Sequence, residues 1–193
     1  RQRQMCIRDR NVKFLDESDA VIFLLDTFSI PYIHDKLNIK GEIELKYDVI
    51  LNNIIDHFKN GDKKKKEAHF GKPMAFAFSK IDAILDHSED LAETAIPGMT
   101  LDQNSPFLDG GGVRMDDIDA VSDGLRAALN SWYEDGFVNN AENNYKNLKY
   151  FGFSALGKDP GNDNHIEGIK PYRVLDPLIW ILDQFKYPLL KQK

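Results

Sequence analysis

The chain contains three short runs of apolar residues, and polar residues follow each of them. The runs cover residues 20–25 (AVIFLL), 73–78 (PMAFAF) and 148–153 (LKYFGF). Runs of this length are typical of strands that are buried on both faces of a parallel sheet. We therefore predict three strands at these positions.

Helical periodicity is found between and after the predicted strands. In residues 41–58, apolar side chains three and four positions apart predict one buried helix face: Ile43, Tyr47, Ile50, Ile54 and Phe58. Residues 116–132 carry a second buried stripe: Ile118, Val121, Leu125, Leu129 and Trp132. Shorter helices are predicted to begin at Ile81 and at Asp176. In the last helix we expect these side chains to face the core: Leu178, Ile179, Leu182 and Phe185.

The alternation of strands and helices predicts an α/β fold, in which helices flank a parallel sheet. Two stretches lack either periodicity. We interpret residues 96–112, which contain two prolines and a glycine triplet, as an insertion. We interpret the asparagine-rich residues 139–147 as a polar linker.

Composition limits the classes of function. The net charge of −6 over 193 residues argues against non-specific binding to nucleic acid. The apolar run at 20–25 is far shorter than the about 20 residues of a membrane span, so we expect no membrane span and a cytoplasmic location. One cysteine, Cys6, excludes a disulfide framework, and the five histidines show no metal-ligand spacing.

The first ten residues, RQRQMCIRDR, differ from the rest of the chain. They are basic and show neither helical nor strand periodicity. They resemble translated sequencing-adapter sequence, so we interpret residues 1–10 as a non-native artefact and residues 11–193 as the natural part. Without their four arginines and one aspartate the net charge would be −9. The alternative interpretation is a basic N-terminal arm.

Candidate ligand-binding residues follow the second and third predicted strands. They form a Ser-Lys-x-Asp motif and a Ser-Ala-Leu motif: Ser79, Lys80 and Asp82, and Ser154, Ala155 and Leu156. In open parallel sheets, ligands bind just beyond the carboxyl ends of the strands. A carboxylate there accepts hydrogen bonds from a ring N–H and an exocyclic amine, while a lysine stem covers the flat face of a base.

The two motifs, in this order, resemble those of the GTPases. That family usually has Asn/Thr-Lys-x-Asp after one strand and Ser-Ala-Lys/Leu after the next. The resemblance spans about residues 19–187 and includes the run at 20–25, which matches the strand after the family's Asp-x-x-Gly motif. Residues 173–182 resemble the last helix of the bacterial TRAFAC-class double-GTPase domains.

The resemblance implies specific roles. Asp82 would bind the guanine edge, the Ala155 N–H would donate to guanine O6, and the Ser154 hydroxyl would help to hold Asp82. The ligand would be GTP or GDP, a protein effector is a candidate partner, and residues 11–193 would be the C-terminal portion of a GTPase-like domain. The implied fold is a partial P-loop NTPase-type three-layer fold whose N-terminal part is missing.

The sequence departs from the family in the parts that bind phosphate. It contains no Gly-x-x-x-x-Gly-Lys-Ser/Thr motif, and no Asp-x-x-Gly precedes Ser79. These parts supply most of the nucleotide affinity and the catalytic charge stabilisation. We therefore expect Mg²⁺ and hydrolysis only in an intact parent, and millimolar or weaker binding without turnover here.

Two other classes of function remain open. One is a catalytically inactive, GTPase-like interaction module, and the other is an unrelated doubly wound α/β protein. Plainer interpretations of the motifs also remain: Lys80 and Asp82 as a solvated strand end, Ser154 as a turn residue, and Asp26 as a strand-terminal cap.

Overall fold

The computed structural model describes residues 14–15, 17–43, 46–60, 70–86, 96, 99, 112–132, 136–157 and 168–187. Within them, three strands form one parallel sheet in the order β1 (Val21–Asp26), β2 (Met74–Ser79) and β3 (Leu148–Gly152). Each boundary lies within one residue of the predicted one. The prediction of an α/β fold with a parallel sheet is confirmed.

Six helices have both of their bounds within the described residues. They are α1 (Pro31–Lys36), α2 (Tyr47–Asn60), α3 (Ile81–Asp86), α4 (Met115–Trp132), α5 (Phe137–Asn144) and α6 (Asp176–Gln184). A 3₁₀ turn, Thr27–Ser29, follows β1.

Side chains from the central strand β2 alternate between two hydrophobic clusters, one on each face of the sheet. On one face, the ring of Phe76 contacts those of Phe23, Tyr150 and Phe137, with centroids 5.2–5.7 Å apart. On the other face, Ala75 and Ala77 pack in the smaller cluster. Five of the six β2 residues are buried, which is why this strand reads as a continuous apolar run.

Helices cover both faces. The larger cluster contains most of the buried apolar side chains of α2, α4 and α5, whereas the smaller one contains Ile118 of α4 and Ile179 and Trp180 of α6. The predicted stripe of α4, from Ile118 to Trp132, is buried at all five positions. The strands β2 and β3 therefore lie between two layers of helix, whereas one face of β1 is left exposed.

The open side of β1 is exposed. Val21 N–H donates to Pro73 C=O on the β2 side, so the alternate residues Ile22 and Leu24 direct their main-chain groups away from β2. Their side chains are 47% and 62% exposed. In the described part of the chain, β1 is thus an edge strand with an apolar surface.

Three sequence predictions were wrong in detail. The stretch predicted as a linker at 139–147 forms most of α5, because Phe137 and Ala141 are buried against the core. The buried face of α2 is rotated toward Leu51 and Ile55, while Ile50 and Ile54 are only half-buried.

In α6, Ile179 and Trp180 are buried against the sheet. The predicted core residues Leu178 and Phe185 are 48% and 49% exposed, which corrects the expected face. Residues 1–10 and most of the predicted insertion at 96–112 lie outside the described residues. Within that insertion, Ile96 and Met99 are buried in the larger cluster.

Candidate functional site

The chain segments that leave β2 and β3 stay hydrogen-bonded to each other beyond the strands. Phe153 N–H donates to Phe78 C=O at 2.9 Å, and Ile81 N–H donates to Phe153 C=O at 3.2 Å. Asp82 and Ser154 are the next residues along the two segments. The structure therefore brings the two predicted motifs to the same end of the sheet.

Asp82 lies in the first turn of α3 and is only 5% exposed. Its Oδ1 atom is buried and has no hydrogen-bond partner within the described residues. Leaving a polar atom in this state costs about 1–3 kcal/mol, so buried carboxylate oxygens are normally paired. Asp82 thus offers an acceptor that the described fold does not use.

Gly152 permits the close approach of α3 to β3. A Cβ atom at this position would lie 3.0 Å from the Ile81 Cγ1 and Met99 Cε atoms. Sequence reasoning did not assign Gly152 a role, although glycine within an apolar strand often marks such an approach. The packing of Ile81 on Gly152 sets the position of the neighbouring Asp82.

Ser154, Ala155, Leu156 and Gly157 form a turn whose amides are mostly satisfied from within. The Ser154 Oγ atom accepts hydrogen bonds from Leu156 N–H at 3.2 Å and from Gly157 N–H at 2.8 Å. Ala155 is exposed, and its N–H makes no hydrogen bond to the described residues. Ala155 therefore presents a donor that the turn itself does not use.

The Ser154 hydroxyl has a different partner from the one the GTPase resemblance implies. No hydrogen bond joins Ser154 to Asp82 within the described residues. The oxygen instead accepts two main-chain amides, which is the ordinary role of serine in a local turn. Ser154 thus shapes the turn, and Asp82 lies beside it without this support.

A short segment that follows residues 158–167, which lie outside the described residues, forms main-chain hydrogen bonds with the turn at 154–157. Ser154 N–H donates to Tyr172 C=O at 3.0 Å, and Tyr172 N–H donates back to Ser154 C=O at 2.8 Å. Lys170 N–H donates to Leu156 C=O at 3.0 Å. Sequence reasoning did not find this pairing, because it joins residues 18 positions apart without a strand-like apolar pattern.

Lys80 is held at the adjoining end of β1. Its Nζ atom lies 2.7 Å from Asp26 Oδ2 and 5.0 Å from the centroid of the Phe28 ring. Asp26 Oδ1 also accepts from Phe28 N–H at 3.1 Å, so the interpretation of Asp26 as a cap is confirmed. The φ angle of Lys80 is +59°, a left-handed conformation that is uncommon for a lysine.

Ser79, the first residue of the Ser-Lys-x-Asp motif, links the ends of β1 and β2. Its hydroxyl donates to Leu25 C=O at 3.0 Å, and its carbonyl accepts a hydrogen bond from the Thr27 hydroxyl. These bonds fix the end of β2 relative to the 3₁₀ turn. Ser79 therefore fixes the point in the fold from which the chain continues to Lys80 and Asp82.

Two general features complete the description. Among the residues that the structure describes, no cluster of three histidine, cysteine, aspartate or glutamate side chains forms a candidate metal site. No helix of the described chain combines the length and hydropathy of a membrane span.

Comparison of the sequence and the structure with family models, curated proteins and solved structures found no match.

Proposed function

We propose that the chain recognises a guanine base at the joined ends of β2 and β3. One observation carries the proposal. A buried carboxylate oxygen, Asp82 Oδ1, and the main-chain N–H of the exposed residue Ala155 both lack partners among the described residues and lie just beyond the ends of adjacent strands.

The chemistry of these two groups is complementary to guanine. Guanine presents a ring N–H and an exocyclic amine, which both donate, beside the O6 acceptor. A carboxylate accepts from the two donors and a backbone amide donates to O6. Adenine presents an amine at the O6 position and an acceptor at N1. Its amine would therefore face the Ala155 N–H, donor against donor, and its N1 would face the Asp82 carboxylate, acceptor against acceptor.

The wider proposal is that the chain is the base-recognising part of a P-loop NTPase-type GTPase domain. The order of the motifs, the parallel sheet and the helices on both of its faces support it. The sequence has no phosphate-loop motif, so base contacts would have to supply the affinity. Two or three hydrogen bonds to charged groups, each about 1.5–3 kcal/mol, barely offset the about 4–15 kcal/mol cost of association.

The test is a titration of the isotope-labelled chain with GMP and XMP, followed by NMR shifts at Ala155. We expect millimolar binding that favours GMP. Asp82→Asn should reverse this preference, because an asparagine amide donates to the second carbonyl oxygen of xanthine. Asp116→Asn is the matched control, since Asp116 also lies in the first turn of a helix but pairs with Arg114 at the surface.

Shifts at Ala155 that are equal for GMP and XMP, or unchanged in Asp82→Asn, would refute base recognition at this site. Isothermal titration with GTP is a separate check, and micromolar GTP binding with turnover would refute the expectation that this chain lacks the phosphate-binding part.

A partner-binding module without hydrolysis is the second candidate function. Ile22 and Leu24 favour it, because they belong to the edge strand β1 and expose apolar side chains on the sheet face that they share with Ala75 and Ala77. An apolar edge strand of this kind is a ready surface for a partner. Tight binding of a protein partner with no measurable response to guanine nucleotides would select this candidate over the first.

A further inference from the structure

Arg173 is a buried charge close to the candidate site. It is 2% exposed and lies directly after Tyr172, whose main chain pairs with Ser154. Its φ angle of +49° is left-handed, a conformation that a non-glycine residue keeps only where its surroundings enforce it. Neither the sequence motifs nor the proposed base contacts involve this residue.

The guanidinium group of Arg173 joins two helix N-termini. Its Nη1 atom lies 2.8 Å from Asp117 Oδ2 and 3.2 Å from Asp176 Oδ2, and its Nη2 atom also donates to Asp117. Asp117 is in the first turn of α4, and Asp176 is the first residue of α6. The fixed fork of arginine suits such paired carboxylates better than a lysine would.

This arrangement fixes the segment that supports the Ala155 turn. The helices α4 and α6 contribute to the clusters on the two faces of the sheet, so Arg173 has a fixed position relative to β2 and β3. Tyr172 and Lys170, just before it, make three main-chain hydrogen bonds with Ser154 and Leu156. The position of the turn relative to Asp82 thus depends on the anchoring of residues 170–173.

We infer that Arg173 is a positioning residue, which sets the distance between the Ala155 amide and the Asp82 carboxylate so that both contact one base. The inference rests on the proposed guanine recognition. It adds that the O6 contact depends on the Arg173–Asp117–Asp176 cluster, whereas the contact to Asp82 does not, because Gly152 and Ile81 position Asp82 independently.

The experiment compares three ligands by NMR titration in the wild type and in Arg173→Gln. GMP and 6-thio-GMP differ only at the O6 acceptor, so their affinity ratio reports the Ala155 contact. GMP and IMP differ only in the exocyclic amine, so their ratio reports the Asp82 contact. In the wild type we expect about threefold to tenfold for 6-thio-GMP, the effect of one hydrogen bond between neutral groups, and about tenfold or more for IMP, which loses a hydrogen bond to the charged Asp82.

In Arg173→Gln, the ratio for 6-thio-GMP should fall to about one, while the ratio for IMP should stay within about twofold of the wild type. Arg173→Lys should restore part of the first ratio. Arg126→Gln is the matched control. Arg126 also makes a bidentate ion pair, with Glu142, but this pair lies on the surface between α4 and α5. This variant should change neither ratio.

A second variant covers the case in which Arg173→Gln does not fold. Asp117→Asn removes the more exposed carboxylate of the cluster and leaves the Arg173–Asp176 pair in place. It should lower the 6-thio-GMP ratio without changing the IMP ratio.

The outcomes separate the two proposals. Wild-type ratios of about one for both ligand pairs would overturn guanine recognition, and the inference with it. A wild-type preference that persists unchanged in the folded Arg173 and Asp117 variants would overturn only the inference. Loss of both ratios together would also overturn the inference, because the cluster would then stabilise the fold as a whole and would not position the Ala155 amide alone.

Discussion

Gly157 holds the turn after β3 in a conformation that alanine would strain in two ways. Its φ angle is +78°, in the left-handed region, where a side chain costs about 1–2 kcal/mol. In addition, a Cβ atom would lie 1.9 Å from the Lys170 carbonyl oxygen. The backbone must shift to relieve this contact, which would break the Lys170–Leu156 hydrogen bond at a cost of about 0.5–1.5 kcal/mol.

Gly157→Ala should therefore lower the free energy of unfolding by about 1.5–3.5 kcal/mol, a large part of the about 5–15 kcal/mol of a typical domain. Gly168→Ala is the matched control. Its φ angle is +73°, but an added Cβ would meet no atom within 4 Å. It should lose only the conformational part, about 1–2 kcal/mol. The effect on the unfolded chain is the same for both and cancels in the comparison.

Urea denaturation followed by tryptophan fluorescence measures both losses, because Trp132 and Trp180 are buried. Amide exchange at Lys170 provides the local readout, and should accelerate in Gly157→Ala only. Equal losses of stability in the two variants, with an unchanged Lys170 amide, would refute the steric argument and the tight turn on which it depends.

Two further perturbations test other parts of the structure. The exposed apolar surface of β1 predicts self-association of the chain, measurable by sedimentation velocity. Leu24→Lys places a charge at the 62% exposed position and should reduce this self-association without loss of stability, whereas Lys36→Ala should leave it unchanged. Equal association of Leu24→Lys and the wild type would show that this surface does not mediate the contact. Burial raises the pKa of the Tyr145 and Tyr150 phenols far above their ordinary value near 10. Above pH about 10 the unfolded chain loses phenol protons that the folded chain keeps, so the free energy of unfolding should fall as the pH rises. Tyr145→Phe should lessen this fall in urea titrations at several pH values. An identical dependence of the unfolding free energy on pH in this variant and the wild type would contradict the burial of the Tyr145 phenol.

The strands were predictable because local composition and burial agree. Residues of β2 are apolar and packed on both faces, and those of α4 repeat with the helical period, so the sequence alone indicates both. The helix α5 was not predictable, because its asparagines favour turns and only the packing of Phe137 and Ala141 against the core outweighs that preference.

For the site, chain order was enough to bring Asp82 and Ala155 to adjoining strand ends, since the carboxyl ends of parallel strands share one edge. The support behind them was not predictable in this way. Arg173 pairs with Asp117, 56 residues earlier, and neither side chain belongs to a periodic pattern. Pairings of this kind are set by how α4 and α6 pack against the sheet, which local sequence does not specify.

The ion pair between Lys80 and Asp26 has a consequence for how a ligand would be received. Both side chains are partly exposed, at 52% and 33%, and a pair of this kind contributes no more than about 1 kcal/mol. The ammonium group can thus leave Asp26 for a bound molecule with little loss, while Asp82 is enclosed by packing and stays in place. A base would then find the Asp82 carboxylate already in place, whereas the Lys80 side chain would have to turn away from Asp26 to cover the flat face of that base.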